Sequence, residues 1–212
     1  MANRELIVKA RLSSLSDKER KDDNGNVKKG RYATLVFEKD EYGDQAQAIM
    51  EAVKSAMMEE FGKVIKPKHP ILKDGDTETR NDNDTSSPTF GQEVLISDTS
   101  EHLKNAYYMS NVKADKLVLY NTHKRVIAWD DFIKGDQDIY TGCYVQAKIN
   151  ISVYSNQYGP QVSKYVNAMA LLKDGDRIVG SGSGDTSADG FTFASDNSGS
   201  SDDSSVSVMD LF

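Results

Sequence analysis

Tyrosine and lysine side chains recur at alternating positions of one apolar segment, Cys143–Tyr154. One alternating set of residues there is apolar, and the other set includes Tyr144, Lys148 and Tyr154. A period of two is typical of a strand with one buried face, so these three side chains are predicted to share the open face. Aromatic rings stack on unpaired bases and nearby cations neutralise phosphates. The pattern therefore predicts a surface that binds single-stranded nucleic acid.

Other predicted strands combine basic and aromatic residues in the same way. Lys9 and Arg11 occupy polar positions of Leu6–Leu12, and two tyrosines precede Lys113 in Ala106–Lys113. A single exposed tyrosine is weak evidence because Tyr favours sheets in general, but recurrence in several strands favours nucleic-acid binding. In addition to the three residues above, the predicted contacts are Lys9, Arg11, Lys28, Lys29, Arg31, Tyr32, Tyr107, Tyr108, Lys113, Tyr158, Lys164 and Tyr165.

The C-terminal segment 181–212 differs in composition from the rest of the chain. It contains six aspartates, ten serines and no Lys or Arg, so it buries too little apolar surface to offset the entropy of ordering and is predicted to be a disordered tail. Its acidic residues predict competition with DNA for a basic groove, and its apolar end predicts binding to a partner's pocket. The alternative is a solubilising tail. The residues assigned to these roles are Asp202, Asp203, Asp210, Leu211 and Phe212.

The net charge of −7 is divided unevenly along the chain. The tail contributes −6, which leaves −1 for residues 1–180, where all 26 basic residues lie. A near-neutral body can still present a basic groove, because polyanions respond to the local potential. The predicted organisation is a binding domain at 1–180 and a flexible tail at 181–212.

Periodicity and turn residues predict the elements that position these side chains. Ala46, Ile49, Val53 and Met57 recur at helical spacing, with Asp44 as the predicted N-cap and Gly62 as the stop, whereas the polar segment Lys73–Pro88 predicts a mobile loop. This order predicts a mainly β fold, an OB-like five-stranded partly open barrel with one inserted helix. The predicted helix is Gln45–Phe61, a short helical turn is predicted in Trp129–Asp138, and the strands are Leu6–Leu12, Arg31–Phe37, Ala106–Lys113, Leu117–Tyr120, Gly142–Tyr154 and Val162–Leu172.

Composition argues against several other classes of protein. Cys143 is the only cysteine, which excludes an intramolecular disulfide framework and a multi-cysteine zinc site. No apolar run approaches the roughly 18 residues of a membrane helix, and no signal peptide is recognised at the start. The expected location is the cytoplasm, with no membrane partner and no cofactor.

Acidic clusters offer two enzymatic or metal-binding alternatives. One cluster resembles a calcium loop, but Thr79 and Thr85 stand where that loop requires glycine and glutamate. A metal-dependent nuclease using paired acids is the enzymatic alternative. The prediction is nevertheless a protein that is not an enzyme, with no catalytic or metal residues. The acids concerned are Asp74, Asp76, Glu78, Asp82 and Asp84 for the calcium loop, and Asp130, Asp131 and Asp136 for the nuclease.

Several motifs resemble those of phage-encoded single-stranded-DNA-binding proteins with an OB fold. The motif Tyr-Thr-Gly-Cys-Tyr-Val within Asp138–Asn150 is the most specific, and Lys-Asp-Gly-Asp ends both Lys66–Asp76 and Leu171–Asp176. The segment Tyr154–Gly159 and the acidic tail ending in phenylalanine also match, so the resemblance spans Leu6–Gly180 and the terminus. The hairpin before the last strand departs from the family pattern, because Tyr158-Gly159-Pro160 contains a single glycine.

The resemblance implies an OB core that binds single strands with little sequence preference during phage replication or recombination. It also implies that the tail recruits proteins of those processes, and it assigns roles to Tyr144, Lys148 and Phe212. The implied location is the cytoplasm of the bacterial host, and a homodimer is compatible with the sequence. The alternative is a phage structural or assembly module whose tyrosines contact protein.

Overall fold

The structure, a computed structural model, describes residues 1–21, 27–67, 69–83, 85–134, 138–157 and 159–178. Contacts divide the chain into the units Met1–Val179 and Gly180–Phe212, and every described residue lies in the first. In chain order its elements are β1 (Ala2–Lys21), β2 (Val27–Glu38), α1 (Lys39–Phe61), β3 (Lys73–Asp74), β4 (Thr79–Asn81), β5 (Glu93–Leu95), α2 (Ile96–Thr99), a 3-10 turn (Glu101–Leu103), β6 (Ala106–Lys113), β7 (Val118–Tyr120), β8 (Val126–Ile127), α3 (Trp129–Lys134), β9 (Tyr144–Asn156) and β10 (Gly159–Lys173).

Five long strands close into a ring in the order β6–β2–β1–β9–β10. Four of the pairings are antiparallel, and the ring is closed by a parallel bridge between Tyr165 of β10 and Lys113 of β6. The short strands β3 and β7 pair with β6 and β10, and β8 pairs with β7. The mainly β fold class is therefore confirmed, with five strands in the ring.

The alternating apolar residues of the long strands form the core inside the ring. On β9 the predicted inner set is at most 1% exposed, and Val8, Ala10 and Leu12 of β1 are buried in the same way. Burial of these side chains supplies the main stabilisation of the ring, at about 25 cal/mol per Å² of apolar surface. The inner set of β9 comprises Val145, Ala147, Ile149, Ile151 and Val153.

Helix α1 packs its apolar face against this core, as the helical spacing predicts. The helix ends at Phe61, and the next residue, Gly62, has a left-handed φ of 67° and donates its N–H to the carbonyl of Met58. The prediction of Asp44 as N-cap is wrong, because the helix begins at Lys39 and continues across a kink at Tyr42. Its buried residues are Tyr42, Ala46, Ile49, Val53, Ala56 and Met57.

The described residues from β3 to the 3-10 turn include three short strands, so the prediction of a mobile loop over Lys73–Pro88 is wrong where β3 and β4 form. Strands β4 and β5 pair within this segment, and the carboxylate of Asp82 accepts a hydrogen bond of 2.6 Å from the hydroxyl of Thr89. Asp82 is buried although it belongs to a polar run, because side-chain and backbone partners satisfy it locally. The segment also buries a second apolar cluster of Val36, Leu103, Ala106 and Tyr108 against the outside of the ring.

Within the parts of the chain that the structure describes, no helix combines the length and apolar composition needed to cross a membrane.

Candidate nucleic-acid interface

Tyr32, Lys113 and Tyr165 form a row across three neighbouring strands, which we call the cross-strand row. Tyr32 of β2 lies opposite Lys113 of β6, and Lys113 lies opposite Tyr165 of β10. Tyr165 in turn lies opposite Asn150 of β9. Residues directly opposite each other share a face of the sheet, and Asn150 alternates with buried Ile149, so the row lies on the outer face.

The two rings of the cross-strand row flank a lysine that has no described acidic partner. Lys113 Nζ lies 5.3 Å from the centroid of Tyr165, within the range of a cation–π contact. The ring of Tyr32 lies over Gly30, where an added Cβ would be 3.0 Å from the ring. All three side chains of the row are partly exposed. The geometry can therefore offer two ring surfaces and one cation to a polyanion with planar bases.

Lys148, Tyr154 and Lys9 extend the polar outer face across β9 and β1. Lys148 is 44% exposed, and its Nζ lies 2.9 Å from Glu5 Oε1. The hydroxyls of Tyr154 and Ser163 are 3.2 Å apart, and Lys9 is exposed. An exposed ion pair contributes at most about 1 kcal/mol, so Lys148 can exchange Glu5 for a phosphate at little cost.

An open pocket of about 380 Å³ lies beside the closing bridge of the ring. Lys113 and Tyr165 line it together with residues that sequence reasoning did not select. Asn150 could have been found, because it alternates with the core residues of β9, but nothing in the sequence places the other residues beside it. The additional lining residues include Asn3, Lys116, Asn150, Ser152 and Asn167.

Lys164, a predicted phosphate contact, lies on the inner face of β10 and is not brought to the cross-strand row. Its register partner is Ile151, which is fully buried in the core. Nζ of Lys164 lies 3.4 Å from the carbonyl oxygen of Ile71. Burial, with a smaller effect of the Lys73 charge, lowers the pKa of Lys164 to about 8.

Tyr107 and Tyr108, two predicted base-stacking residues, are also placed away from the row. Tyr108 is only 5% exposed in the second apolar cluster, and burial raises its pKa. Tyr107 lies opposite Phe37 on the inner face, with Lys39 Nζ 4.9 Å from its ring centroid. Neither side chain is available to DNA, because Tyr107 faces inward and Tyr108 is covered on the outer face by the second apolar cluster.

Tyr144 is held by contacts within the protein. Its hydroxyl donates to Glu38 Oε1 at 2.7 Å, and Lys173 Nζ lies 4.3 Å from its ring centroid. The ring of Tyr42 is 5.9 Å away, centroid to centroid. Burial, together with the hydrogen bond to Glu38, raises the pKa of Tyr144 to about 12. These contacts indicate a structural role for the ring.

Arg11 anchors the segment that follows β10. Its Nε donates to the carbonyl of Gly142 at 3.0 Å, and Nη2 donates to the carbonyl of Asp176 at 2.9 Å. The side chain is 13% exposed and lies 3.7 Å from Glu38. Its donors are therefore engaged by the protein itself.

Arg31 and Lys29, on the hairpin of β1 and β2, are ion-paired. Arg31 Nε lies 3.1 Å from Asp17 Oδ1, and its guanidinium stacks 3.3 Å from the centroid of Trp129, which sequence reasoning did not select. Lys29 is 79% exposed and pairs with Glu19 at 3.1 Å. Of these two residues only Lys29 is readily available to a phosphate.

The remaining predicted contacts fall outside the described part of the chain. For Lys28 this applies to the side chain, since its backbone lies in β2. The others are Tyr158 and the tail residues Asp202, Asp203, Asp210, Leu211 and Phe212.

The described acidic residues considered for metal binding have other partners or positions, and Asp84 and Asp136 lie outside the described part of the chain. Asp74 and Asp76 both accept hydrogen bonds from Lys39 Nζ at 2.8 Å, and these bonds raise the pKa of Lys39. Asp130 and Asp131 lie in the first turn of α3. The described residues contain no group of three or more His, Cys, Asp or Glu side chains placed to hold a metal ion.

Comparison with known proteins identifies the family. The family described as the Enterobacter phage Enc34 ssDNA-binding protein matches residues 6–204, which is most of the chain. The chain belongs to the Enc34 ssDNA-binding protein family. The resemblance inferred from the sequence motifs is thereby confirmed. No curated protein sequence matches the chain.

Solved structures of phage proteins share the fold. The single-stranded DNA-binding protein from bacteriophage Enc34 in complex with ssDNA is 18% identical, with a TM-score of 0.59 over 84% of this chain and 90% of that one. The same phage protein in a second structure is 16% identical, with a TM-score of 0.58 over 88% of each chain. The mainly β fold of this chain is thus the fold of the Enc34 family.

Proposed function

We propose that this protein binds single-stranded DNA across the outer face of its ring of strands. The observation that carries the proposal is the cross-strand row, because it sets Lys113 in register between the rings of Tyr32 and Tyr165. Membership of the Enc34 family supports the ligand class, since an Enc34 protein was solved in complex with ssDNA. Single-strand binders combine stacking rings with cations that follow the backbone.

Stacking on the two rings of the row can supply a substantial part of the free energy of binding. Stacking of a base on an aromatic ring contributes about 1–3 kcal/mol, so two rings supply about 2–6 kcal/mol. A micromolar complex requires about 8 kcal/mol. Phosphate contacts from Lys113, Lys148, Lys9 and Lys29 supply the rest through counterion release, which makes the affinity fall with salt.

In this proposal the protein coats and protects phage single strands during replication and recombination in the host cytoplasm. Ring faces and phosphate charges are common to every nucleotide, so binding has little sequence preference. It requires no catalytic residue and no cofactor.

The acidic tail has two roles in the same proposal. Its six aspartates compete with DNA for the lysines of the outer face, which weakens binding to short strands. Its end, Asp210-Leu211-Phe212, offers an apolar side chain and carboxylates to a basic, apolar pocket of a replication or recombination protein.

The direct test is titration of a labelled oligothymidine with three variants at two salt concentrations. Tyr32→Ala with Tyr165→Ala should weaken binding about tenfold or more, because two stacking surfaces are lost. Lys113→Ala should reduce the slope of log affinity against log salt concentration by about the amount expected for the loss of one phosphate contact. The control Lys54→Ala removes an exposed lysine of α1 and should leave both values unchanged. Circular dichroism checks the fold, and unchanged affinity in folded row variants would place the interface elsewhere.

A further inference from the structure

The pocket beside the closing bridge has a buried hydroxyl that donates to one amide and lies near the carbonyl end of a second. Ser152 is 4% exposed, and its Oγ donates to Asn3 Oδ1 at 2.7 Å. The same Oγ lies 3.4 Å from Asn150 Oδ1. The carbonyl ends of both amides therefore face Ser152, which leaves their NH2 ends for the pocket. Nowhere in the described segments does an acceptor pair with either Nδ2.

The pocket thus combines hydrogen-bond donors, a ring and cations. Asn3 and Asn150 supply NH2 donors, Tyr165 supplies an aromatic surface, and Lys113 and Lys116 supply charge at the same pocket. Asp115, the acidic side chain among the lining residues, already accepts a 2.9 Å hydrogen bond from the backbone N–H of Arg31. A ligand suited to this site is planar, carries carbonyl acceptors and is attached to a phosphate.

Among the nucleobases, thymine and guanine present a carbonyl oxygen in the position where adenine and cytosine present an amino donor. Cytosine carries its carbonyl elsewhere on the ring, and adenine has none. Two oriented amide donors favour the carbonyl bases, since an adenine amino group would face a donor and leave it unpaired. The volume of about 380 Å³ lies in the range of small-ligand sites. The rest of the proposed interface contacts the flat faces of the bases and the phosphates, and it does not distinguish one base from another.

We propose that this pocket is a nucleobase subsite that accepts a carbonyl-bearing base and disfavours adenine. The inference rests on the proposed binding of single-stranded DNA and adds a preference at one nucleotide position to binding that is otherwise sequence-tolerant. Asn3 and Asn150 are the binding residues, and Ser152 is a positioning residue that acts through them.

The test compares affinities for oligothymidine and oligoadenosine of equal length, measured by anisotropy in wild type and variants. Oligoadenosine also stacks on itself, but this effect is common to all variants and cancels when their affinity ratios are compared. Asn3→Ala with Asn150→Ala should lower the ratio about fivefold by weakening thymidine binding. Ser152→Ala should lower it in the same direction, because the amide of Asn3 loses the hydrogen bond that orients it.

Two matched controls and two contrary outcomes make the result decisive. Gln146→Ala removes an amide from the same face of β9 outside the pocket, and Ser163→Ala removes the outer-face hydroxyl opposite Ser152; both should keep the wild-type ratio. An unchanged ratio of the two affinities in the Asn3 and Asn150 variant, including the case in which both affinities fall equally, overturns the subsite. Failure of the wild type to bind either strand overturns the proposed function instead.

Discussion

Lys164 places an ammonium group on the inner face of β10, and this position has a cost that depends on pH. Its pKa is about 8 in the folded protein and 10.5 in the absence of burial. Between these values the unfolded chain binds more protons than the folded one, so the free energy of unfolding rises with pH from about 8 to 10.5. Below pH 8 both states are protonated and the full penalty is present.

Replacing Lys164 with methionine should remove this penalty and its pH dependence. We expect Lys164→Met to raise the free energy of unfolding at neutral pH by about 2 kcal/mol, because a partly buried charge is replaced by an apolar chain. Urea unfolding at pH 7 and pH 10 measures both effects. Lys54→Met, on the exposed face of α1, is the control. A variant that keeps the rise above pH 8 would contradict the burial of the amine.

Glu5 opposes the binding of DNA in a second residue-scale prediction. Its carboxylate pairs with Lys148 on the outer face at 2.9 Å. It therefore competes with phosphate for this lysine and also repels phosphate directly. Glu5→Gln should tighten binding of oligothymidine about threefold at low salt, and the gain should shrink as salt screens the charge. Glu59→Gln removes an acid of α1 that pairs with Arg4 of β1, and it should have no effect. Equal gains at low and high salt would exclude this electrostatic origin.

At the scale of elements, a close backbone contact holds together the two ends of the segment between α1 and β6. A Cβ added to Gly75 would lie 2.0 Å from the carbonyl oxygen of Leu103, which belongs to the second apolar cluster with Tyr108. The contact is with backbone, so the segment has to move to admit a methyl group. The covering of Tyr108 therefore depends on a glycine.

Gly75→Ala should lower the free energy of unfolding by about 2 kcal/mol, through the displacement of this segment. Gly43→Ala is the matched control, because an added Cβ there meets nothing within 4 Å inside α1. Alanine is preferred to glycine in helices, so the control should be neutral or more stable by up to about 1 kcal/mol. Thermal melts measure both variants, and equal stability of the two would argue against the close contact.

Alternation of residues predicted the inner faces of β1 and β9, but it could not assign the faces of β10. Both periodic sets of Val162–Leu172 contain apolar residues, and the register shifts between Val166 and Ala168. This bulge reverses the alternation, so Val162, Lys164 and Val166 face inward before it and Met169 faces inward after it. Lys164 was consequently predicted to share the surface of Tyr165, although the two point to opposite sides.

The covering of Tyr108 was likewise not accessible from the local pattern. Tyr108 alternates correctly with inner-face residues of β6, but the polar segment that precedes β6 folds back and covers its outer side. That segment was predicted to be a loop because it has few apolar residues, and its order comes from hydrogen bonds such as that between Asp82 and Thr89. Partners of Arg11 and Tyr144 are distant in sequence. A period of two in the sequence predicts which face of a strand a side chain lies on. Whether another segment covers that side chain, and which partner it contacts, depends on tertiary contacts.

On the scale of the whole molecule, negative charge is concentrated at one end of the chain. The body of residues 1–180 has a net charge of −1, and the segment 181–212 adds −6. Within the body, lysines available to phosphate have acidic partners close by, as Lys148 on the outer face and Lys29 on the hairpin of β1 and β2 do. Binding of DNA in the proposed function therefore competes with acids of two kinds, those of the strands and those of the tail.

Removal of residues 181–212 should tighten binding of oligothymidine at low salt about tenfold, with a smaller gain at high salt, because competition by the six aspartates is electrostatic. Two further variants, which keep most of the tail, separate its roles. Replacing the six aspartates with asparagine should reproduce the gain while keeping Leu211 and Phe212. Deleting Leu211 and Phe212 alone keeps the aspartate charges and should leave DNA binding unchanged, while abolishing capture of replication proteins from an infected-cell extract. Weaker binding by the truncated protein would show that the tail assists DNA binding and would exclude competition.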